Sequence, residues 1–265
     1  MEGIADYRFI RRLGEGAHGE FYLAEPPSRL ALGASYVAVK VLGGQTNEQA
    51  LRRATRELRA FASVRCPYLV RLYDAGQDGG HFFYATDYFE EGSLANPKDP
   101  LGRDRVLEAV EHAARAAHAL HEAGIVHGGI KPANVLLSPD GGRLSDLGLA
   151  QTLAPGMTVT SVGSVGAVEF MDPAILRGER GSRASDIWSL GATLHHALTG
   201  QGLYGPIPED DPLVGVRRVL GHRPKLADGL RPEEARLIEA CLAAEPKDRP
   251  PTAAAVADGV AALPR

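Results

Sequence analysis

Cysteine is nearly absent: Cys66 and Cys241 are the only two in 265 residues, far apart and without metal-ligand spacing. That excludes a disulfide framework and a cysteine-based zinc site, and predicts two reduced thiols in a cytosolic protein. A charge excess of either sign is also missing. The formal net charge is only −4, so no global basic field draws the chain to nucleic acid or to an anionic membrane. No apolar run is long enough to span a bilayer. The residues after Met1 are mixed and polar, unlike a secretory leader. The expectation is a cytoplasmic protein with no membrane segment within this chain; any tether would lie beyond residue 265. Internal repeats and low-complexity tracts are absent too.

What is present has an order. Tyr7 to Leu13 and Glu20 to Glu25 read as strands around a Gly-rich turn. Pro26 to Ser35 is punctuated by Pro, Gly and Ser, hence a loop. The β-branched run from Tyr36 to Leu42 is a strand. From Glu48 to Val64 the spacing turns helical, with Leu51, Ala54, Leu58 and Phe61 on one face. Strand-like runs follow at Leu69 to Asp74 and His81 to Tyr88. Beyond Glu91-Gly92-Ser93 the chain reads as mostly helical. The stretches are Arg105 to Ala123, Ser185 to Leu198, Pro232 to Ala243 and Thr252 to Leu263. The Ala, Arg and Gly in the composition favour helices with Ala-packed faces. The pattern predicts an α+β chain: a β-rich lobe over residues 1–89, an α-helical lobe over 90–265, and a cleft between them.

Gly14-Glu15-Gly16-Ala17-His18-Gly19 lies between two strand-like segments. A dinucleotide fold would need a helix right after Gly19. A strand there instead favours a glycine flap whose backbone amides approach phosphates closely. Val37-Ala38-Val39-Lys40 follows on a strand, and its lysine suits a phosphate ligand. Glu57 on the next helix is placed by register to pair with it.

With these pieces the chain resembles the bacterial Ser/Thr protein kinase domain over about residues 7–263. His127-Gly128-Gly129-Ile130-Lys131-Pro132-Ala133-Asn134 is similar to that family's catalytic loop. Ser145-Asp146-Leu147-Gly148 is similar to its metal-binding Asp-Phe-Gly. Ser185-Asp186-Ile187-Trp188 resembles the buried helix of the large lobe, and Asp248-Arg249-Pro250 a late Arg-Pro element. The resemblance implies a two-lobed protein-kinase fold. It also implies ATP under Gly14, Gly16 and Gly19, with phosphates at Lys40 and Mg²⁺ at Asn134 and Asp146. Adenine would meet backbone groups of Asp87, Tyr88 and Phe89, with Thr86 behind it and Ala38 and Leu136 on its two faces. Lys131 would sit near the transferring phosphate.

The chain then departs from the family. His-Arg-Asp is expected at 127–129, and the register leaves Gly129 where the Asp would accept the substrate's proton. Gly128 replaces the Arg that pairs with a phosphorylated activation loop in many relatives. Ala167 stands where a Thr bonds the catalytic Asp, and Ala174 where a Glu pairs with the late Arg. Arg249 thereby loses its expected carboxylate, with Asp172 as the nearby substitute. Phe21 replaces the Val that packs on adenine; a phenyl ring there either stacks on the base or fills part of the pocket. The reading is a pseudokinase that binds ATP and Mg²⁺ and regulates or scaffolds other signalling proteins. The alternatives are a weakly active Ser/Thr kinase and a nucleotide-free scaffold. Thr158, Thr160, Ser161 and Ser164 lie in a polar stretch. They are either plain loop residues or phosphoacceptors for a true kinase, creating a docking site for a phosphothreonine-reading module.

Overall fold

The computed structural model describes residues 2–16, 19–43, 48–146, 165–207 and 212–265. Thr158, Thr160, Ser161, Ser164, Leu147, Gly148 and His18 lie outside them. The chain divides into two compact units. The first takes the described residues among 2–63 and 70–88; the second takes residues 64–69 and the described residues from Phe89 onward.

The first unit is an antiparallel six-stranded sheet in the order β1-β2-β3-β4-β6-β5. The strands are β1 (Gly3–Ile4), β2 (Tyr7–Gly16), β3 (Gly19–Glu25), β4 (Val37–Leu42), β5 (Leu72–Asp78) and β6 (His81–Asp87). Alternation along β4 sorts its two faces. Val37, Val39 and Val41 point into a core with Ile4, Tyr7, Ala24, Phe83 and Ala85, on which Phe9 and Tyr22 stack at 4.1 Å between ring centroids. The even positions, Ala38 and Lys40, face the other way. Helix α1 (Glu48–Ser63) belongs to this unit and buries Ala54, Leu58 and Phe61, three of the four residues expected on one face; the side chain of the fourth, Leu51, lies outside the described ones.

The fifth strand starts later than the sequence reading put it. Leu69 and Val70 are buried and precede the strand. Leu69 belongs to the second unit, where it forms a single parallel bridge to Leu144. The apolar start of this run serves the core, and the ladder begins at Leu72.

The second unit is built on helices α2 (Arg103–Glu122), α3 (Pro173–Leu176), α4 (Arg183–Thr199), α5 (Pro212–Gly221), α6 (Pro232–Cys241) and α7 (Ala253–Ala261). A two-stranded hairpin, β7 (Val135–Ser138) with β8 (Gly141–Leu144), sits among them. Sequence spacing had not shown this hairpin or α5. Helix α2 buries Ala109, Ala113, Ala114, Ala116 and Ala117 beside Leu107, Val110 and Leu120, and it packs against α4, α7 and β8. Methyl side chains let those neighbours approach closely. Helix α4 carries a capping box between Ser182 and Ser185 and ends at Gly200 in the left-handed region.

Four histidines of this unit are held below the ordinary imidazole value by burial: His112, His127, His195 and His196. Three of them accept a backbone N–H, from Gly142, Gly129 and Ala227 respectively. A protonated ring nitrogen cannot accept, so the geometry requires the neutral form. Unfolded histidines protonate as pH falls through about 6.5. The stability that neutral burial provides is therefore full above that value and lost below it. Glu169, raised by burial, acts in the opposite sense as one group against four. The melting temperature should be level above about pH 7 and fall towards pH 5. His195→Gln, which keeps an acceptor but no titration, should flatten part of that slope. A melting temperature that holds or rises from pH 7 to 5 would refute the account.

Candidate functional site: a cationic row on the sheet and an anchored loop among the helices

In the first unit the surroundings of Lys40 are built by strand register. Phe21 on β3 lies opposite Lys40 on β4, and Lys40 lies opposite Tyr84 on β6. Cross-strand partners share a face, so an aromatic, a cation and an aromatic form one row. The Lys40 ammonium sits 4.8 Å from the Phe21 ring centroid and 5.9 Å from that of Tyr84. Lys40 itself is only 5% exposed. The next row on that face is Leu23, Ala38 and Thr86. The sheet thus gathers Phe21, Ala38, Lys40 and Thr86 as the sequence suggested, and adds Tyr84. Tyr84 stands two residues before Thr86, so alternation alone could have put it on this face. What could not be read was the pairing of β4 with β6.

The glycine turn is formed by the ends of β2 and β3, with Gly14 opposite Phe21 and Gly16 opposite Gly19. Gly19 is required by packing: a Cβ there would sit 2.2 Å from the Val41 carbonyl oxygen. Glu57 lies half-buried on α1, between buried Ala54 and Leu58. Asp87 closes the unit's last strand. Its carboxylate accepts from the Tyr73 hydroxyl and the Arg71 amide, and its own amide donates to the Arg71 carbonyl at 3.2 Å. Burial, aided by that carboxylate, pushes the Tyr73 phenol up to about 12. Phe89 and Leu136 belong to the second unit, Leu136 half-buried on β7.

In the second unit the loop from His127 to Asn134 is fixed at every turn. Asp186, in the first turn of α4 and 1% exposed, accepts from the His127 amide at 2.8 Å and the Gly128 amide at 2.9 Å. It also meets the His121 ring at 2.8 Å. Gly128 sits at φ 67, a conformation that glycine adopts without strain. His127 is 1% exposed. Its Nδ1 accepts from the Gly129 amide at 3.2 Å, which leaves Nε2–H to donate to the Ser145 carbonyl at 3.0 Å. One neutral imidazole therefore ties the loop to the residue before Asp146.

Asn134 completes the frame. Its amide nitrogen donates to the Gly129 carbonyl at 2.7 Å, and its own carbonyl accepts from the Ser145 amide at 2.8 Å. Asp146 then takes φ 58, a left-handed value that few side-chain-bearing residues adopt. Such a backbone persists where its surroundings over-determine it. Lys131 is half-buried at the N-cap of the 3-10 turn Pro132–Asn134. Asn134 still has its side-chain oxygen, and Asp146 adds a carboxylate. This oxygen donor set suits a hard cation such as Mg²⁺.

Arg249 does not lack its anion. Asp172 forms a buried ion pair with it, and also caps α3 by accepting from the Ala174 amide at 3.0 Å. The guanidinium also donates to the Ala243 and Ala184 carbonyls and lies 5.0 Å from the Trp188 ring. Asp172 has taken over the part that Ala174 cannot play.

Comparison with known proteins agrees with both halves. The protein kinase domain family matches residues 7–259. The chain is 34% identical over 259 residues to the serine/threonine-protein kinase AfsK of Streptomyces griseus, covering 92% of this chain and 31% of that one. It is 31% identical over 224 residues to PknL of Mycobacterium tuberculosis, covering 80% and 55%. It is 32% identical over 216 residues to pkn2 of Myxococcus xanthus, covering 77% and 26%. The chain thus spans between about a quarter and just over half of these relatives' lengths. The PknI kinase domain of M. tuberculosis superposes with a TM-score of 0.70 at 26% identity, covering 98% of both chains. The match over residues 7–259 takes in both the Lys40 sheet and the His127 loop, and the chain belongs to the protein kinase domain family, with bacterial Ser/Thr kinases as its relatives.

Proposed function

We propose that this chain is a pseudokinase. It binds ATP with Mg²⁺ and acts by presenting its fold to other signalling proteins, without transferring phosphate. Gly129 carries this reading. Its amide and carbonyl are bonded to His127 and Asn134, so the loop backbone is in order, and what it lacks is a side chain. No carboxylate is there to accept a hydroxyl proton or to orient the attacking oxygen. Ala167 extends the loss. Retention of Lys40, Glu57, Asn134 and Asp146 supports continued binding of nucleotide and metal. Bound Mg²⁺ would neutralise phosphate charge. Asn134 and Asp146 would hold it, Lys40 would take phosphate oxygens, and Lys131 would add positive charge beside them. The partners are signalling proteins in the cytoplasm. They include a true kinase acting on Thr158 and Thr160, or a phosphothreonine-reading module that docks there afterwards.

The test is transfer of labelled γ-phosphate at high protein concentration, to generic and cognate substrates. No incorporation above that of Asp146→Ala is expected. Transfer by the wild type that Asp146→Ala abolishes would replace this reading with a weakly active kinase. The intact loop favours that second reading, because a general base supplies only about 10²–10⁴-fold. Thermal melting with ATP, with and without Mg²⁺, tests the ligand: a ligand that binds only the folded state must raise the melting point. A rise that needs Mg²⁺ is expected. No rise at millimolar nucleotide would leave a nucleotide-free scaffold. Gly129→Asp alone should not restore phosphorylation, because Gly128 and Ala167 remain; robust activity in that variant would show the remaining machinery to be sufficient.

A further inference from the structure

The row of Phe21, Lys40 and Tyr84 holds more than a phosphate ligand. An ammonium over an aromatic face within about 6 Å is attracted by the ring quadrupole, most of all where water is excluded. Lys40 is 5% exposed and meets two such rings, the nearer at 4.8 Å. A phosphate oxygen has to come within about 2.9 Å of the ammonium to bond it. The Phe21 ring already occupies one side of that ammonium, and the ladder keeps residue 21 opposite residue 40, so the two side chains stay on one face.

We propose that Phe21 competes with phosphate for Lys40. In the nucleotide-free protein its ring holds the ammonium, and a polyphosphate binds only by drawing the ammonium off the ring or swinging the ring aside. Residue 21 is then a positioning residue that sets the strength of the phosphate site and leaves recognition of the base unchanged. This differs from a ring that stacks on adenine, which would strengthen base binding. It also differs from a ring that merely fills the base pocket, which would weaken adenosine as much as ATP. The inference rests on the nucleotide-binding reading above.

Two measurements on the whole chain test it. Calorimetric titrations would compare wild type, Phe21→Val and Phe21→Leu against ATP with Mg²⁺, inorganic tripolyphosphate and adenosine. Loss of a buried cation–ring contact should tighten ATP and tripolyphosphate by about tenfold in both variants and shift adenosine by less than about twofold. A gain in affinity cannot come from a damaged fold. If the wild type binds ATP and the variants bind no tighter, the competition is refuted while nucleotide binding stands. If the variants lose adenosine affinity, the ring stacks on the base and the competition is wrong. If neither wild type nor variants bind any of the three, both the competition and the nucleotide reading fall. Proton NMR of the ligand-free protein gives a reading independent of nucleotide. The Lys40 ε-methylene protons should be shifted upfield by the Phe21 ring, and should return towards ordinary values in Phe21→Leu. Ordinary values in the wild type would refute the resting contact directly.

Discussion

Asp172→Ala is expected to destabilise the helical unit by roughly 3–5 kcal/mol, the cost of stranding one member of a buried ion pair. The Arg249 guanidinium is the cation of that pair, and its side chain is 1% exposed. Its other acceptors, the Ala243, Ala184 and Ala244 carbonyls, are neutral dipoles and do not cancel a charge. The alanine variant also loses the cap on the Ala174 amide, worth about 1 kcal/mol. In a chain of this size the sum corresponds to a fall in melting temperature of about 10 °C or more. Asp172→Asn separates the two parts. It keeps a capping oxygen and removes the charge, so it should retain the cap's share and lose the rest. Adding Ala174→Glu to Asp172→Ala supplies a carboxylate from the position that the family pattern uses, and should recover a large part of the loss. A cost below about 1 kcal/mol for Asp172→Ala would mean that Arg249 finds another anion, and the exchange of roles between residues 172 and 174 would be wrong.

That exchange also marks how far the sequence could be read. Asp172 stood out as a nearby acid, but whether it reached Arg249 depended on a turn entering α3, which residue order does not encode. The single-residue losses at Gly128, Gly129 and Ala174 were legible because each lies between fixed motif neighbours. Lys40, Ala38 and Thr86 were legible because β4 and β6 are short apolar runs with plain alternation. Tyr84 was not singled out, since its neighbour across the sheet is set by which strands pair, and β6 lies between β5 and β4. Helix α5 went unseen because Gly215 and the β-branched Val214, Val216 and Val219 weaken its helical signal. The β7–β8 hairpin went unseen because Gly141-Gly142 reads as a turn. In fact both glycines are in β8, where a Cβ at Gly142 would come within 2.5 Å of the Ala109 carbonyl oxygen on α2. Two glycines in this strand serve close packing, a need that comes from a helix some thirty residues away.

The second large effect is expected at Asp186. Its two oxygens receive three donors, the His127 and Gly128 amides and the His121 ring, and the carboxylate is 1% exposed. Asp186→Asn keeps the shape and one acceptor oxygen, but turns the other position into a donor. At least one backbone N–H then faces another donor with no water to relieve it, at about 1–3 kcal/mol, and the charge-assisted part of the remaining bonds is lost as well. A total of about 2–4 kcal/mol is expected by chemical denaturation, and alanine should exceed it. The consequence reaches the ligand. With residues 127 and 128 unanchored, Gly129 no longer offers a fixed carbonyl to the Asn134 amide, and His127 no longer ties the loop to Ser145. The Mg²⁺-dependent part of the melting rise with ATP should therefore shrink in Asp186→Asn by more than the metal-independent part. Asp172→Ala, equally buried but bonded to none of these loop residues, should leave the ratio of the two unchanged. If both variants reduce the two parts alike, Asp186 acts on stability alone, and the loop's geometry does not depend on its anchor.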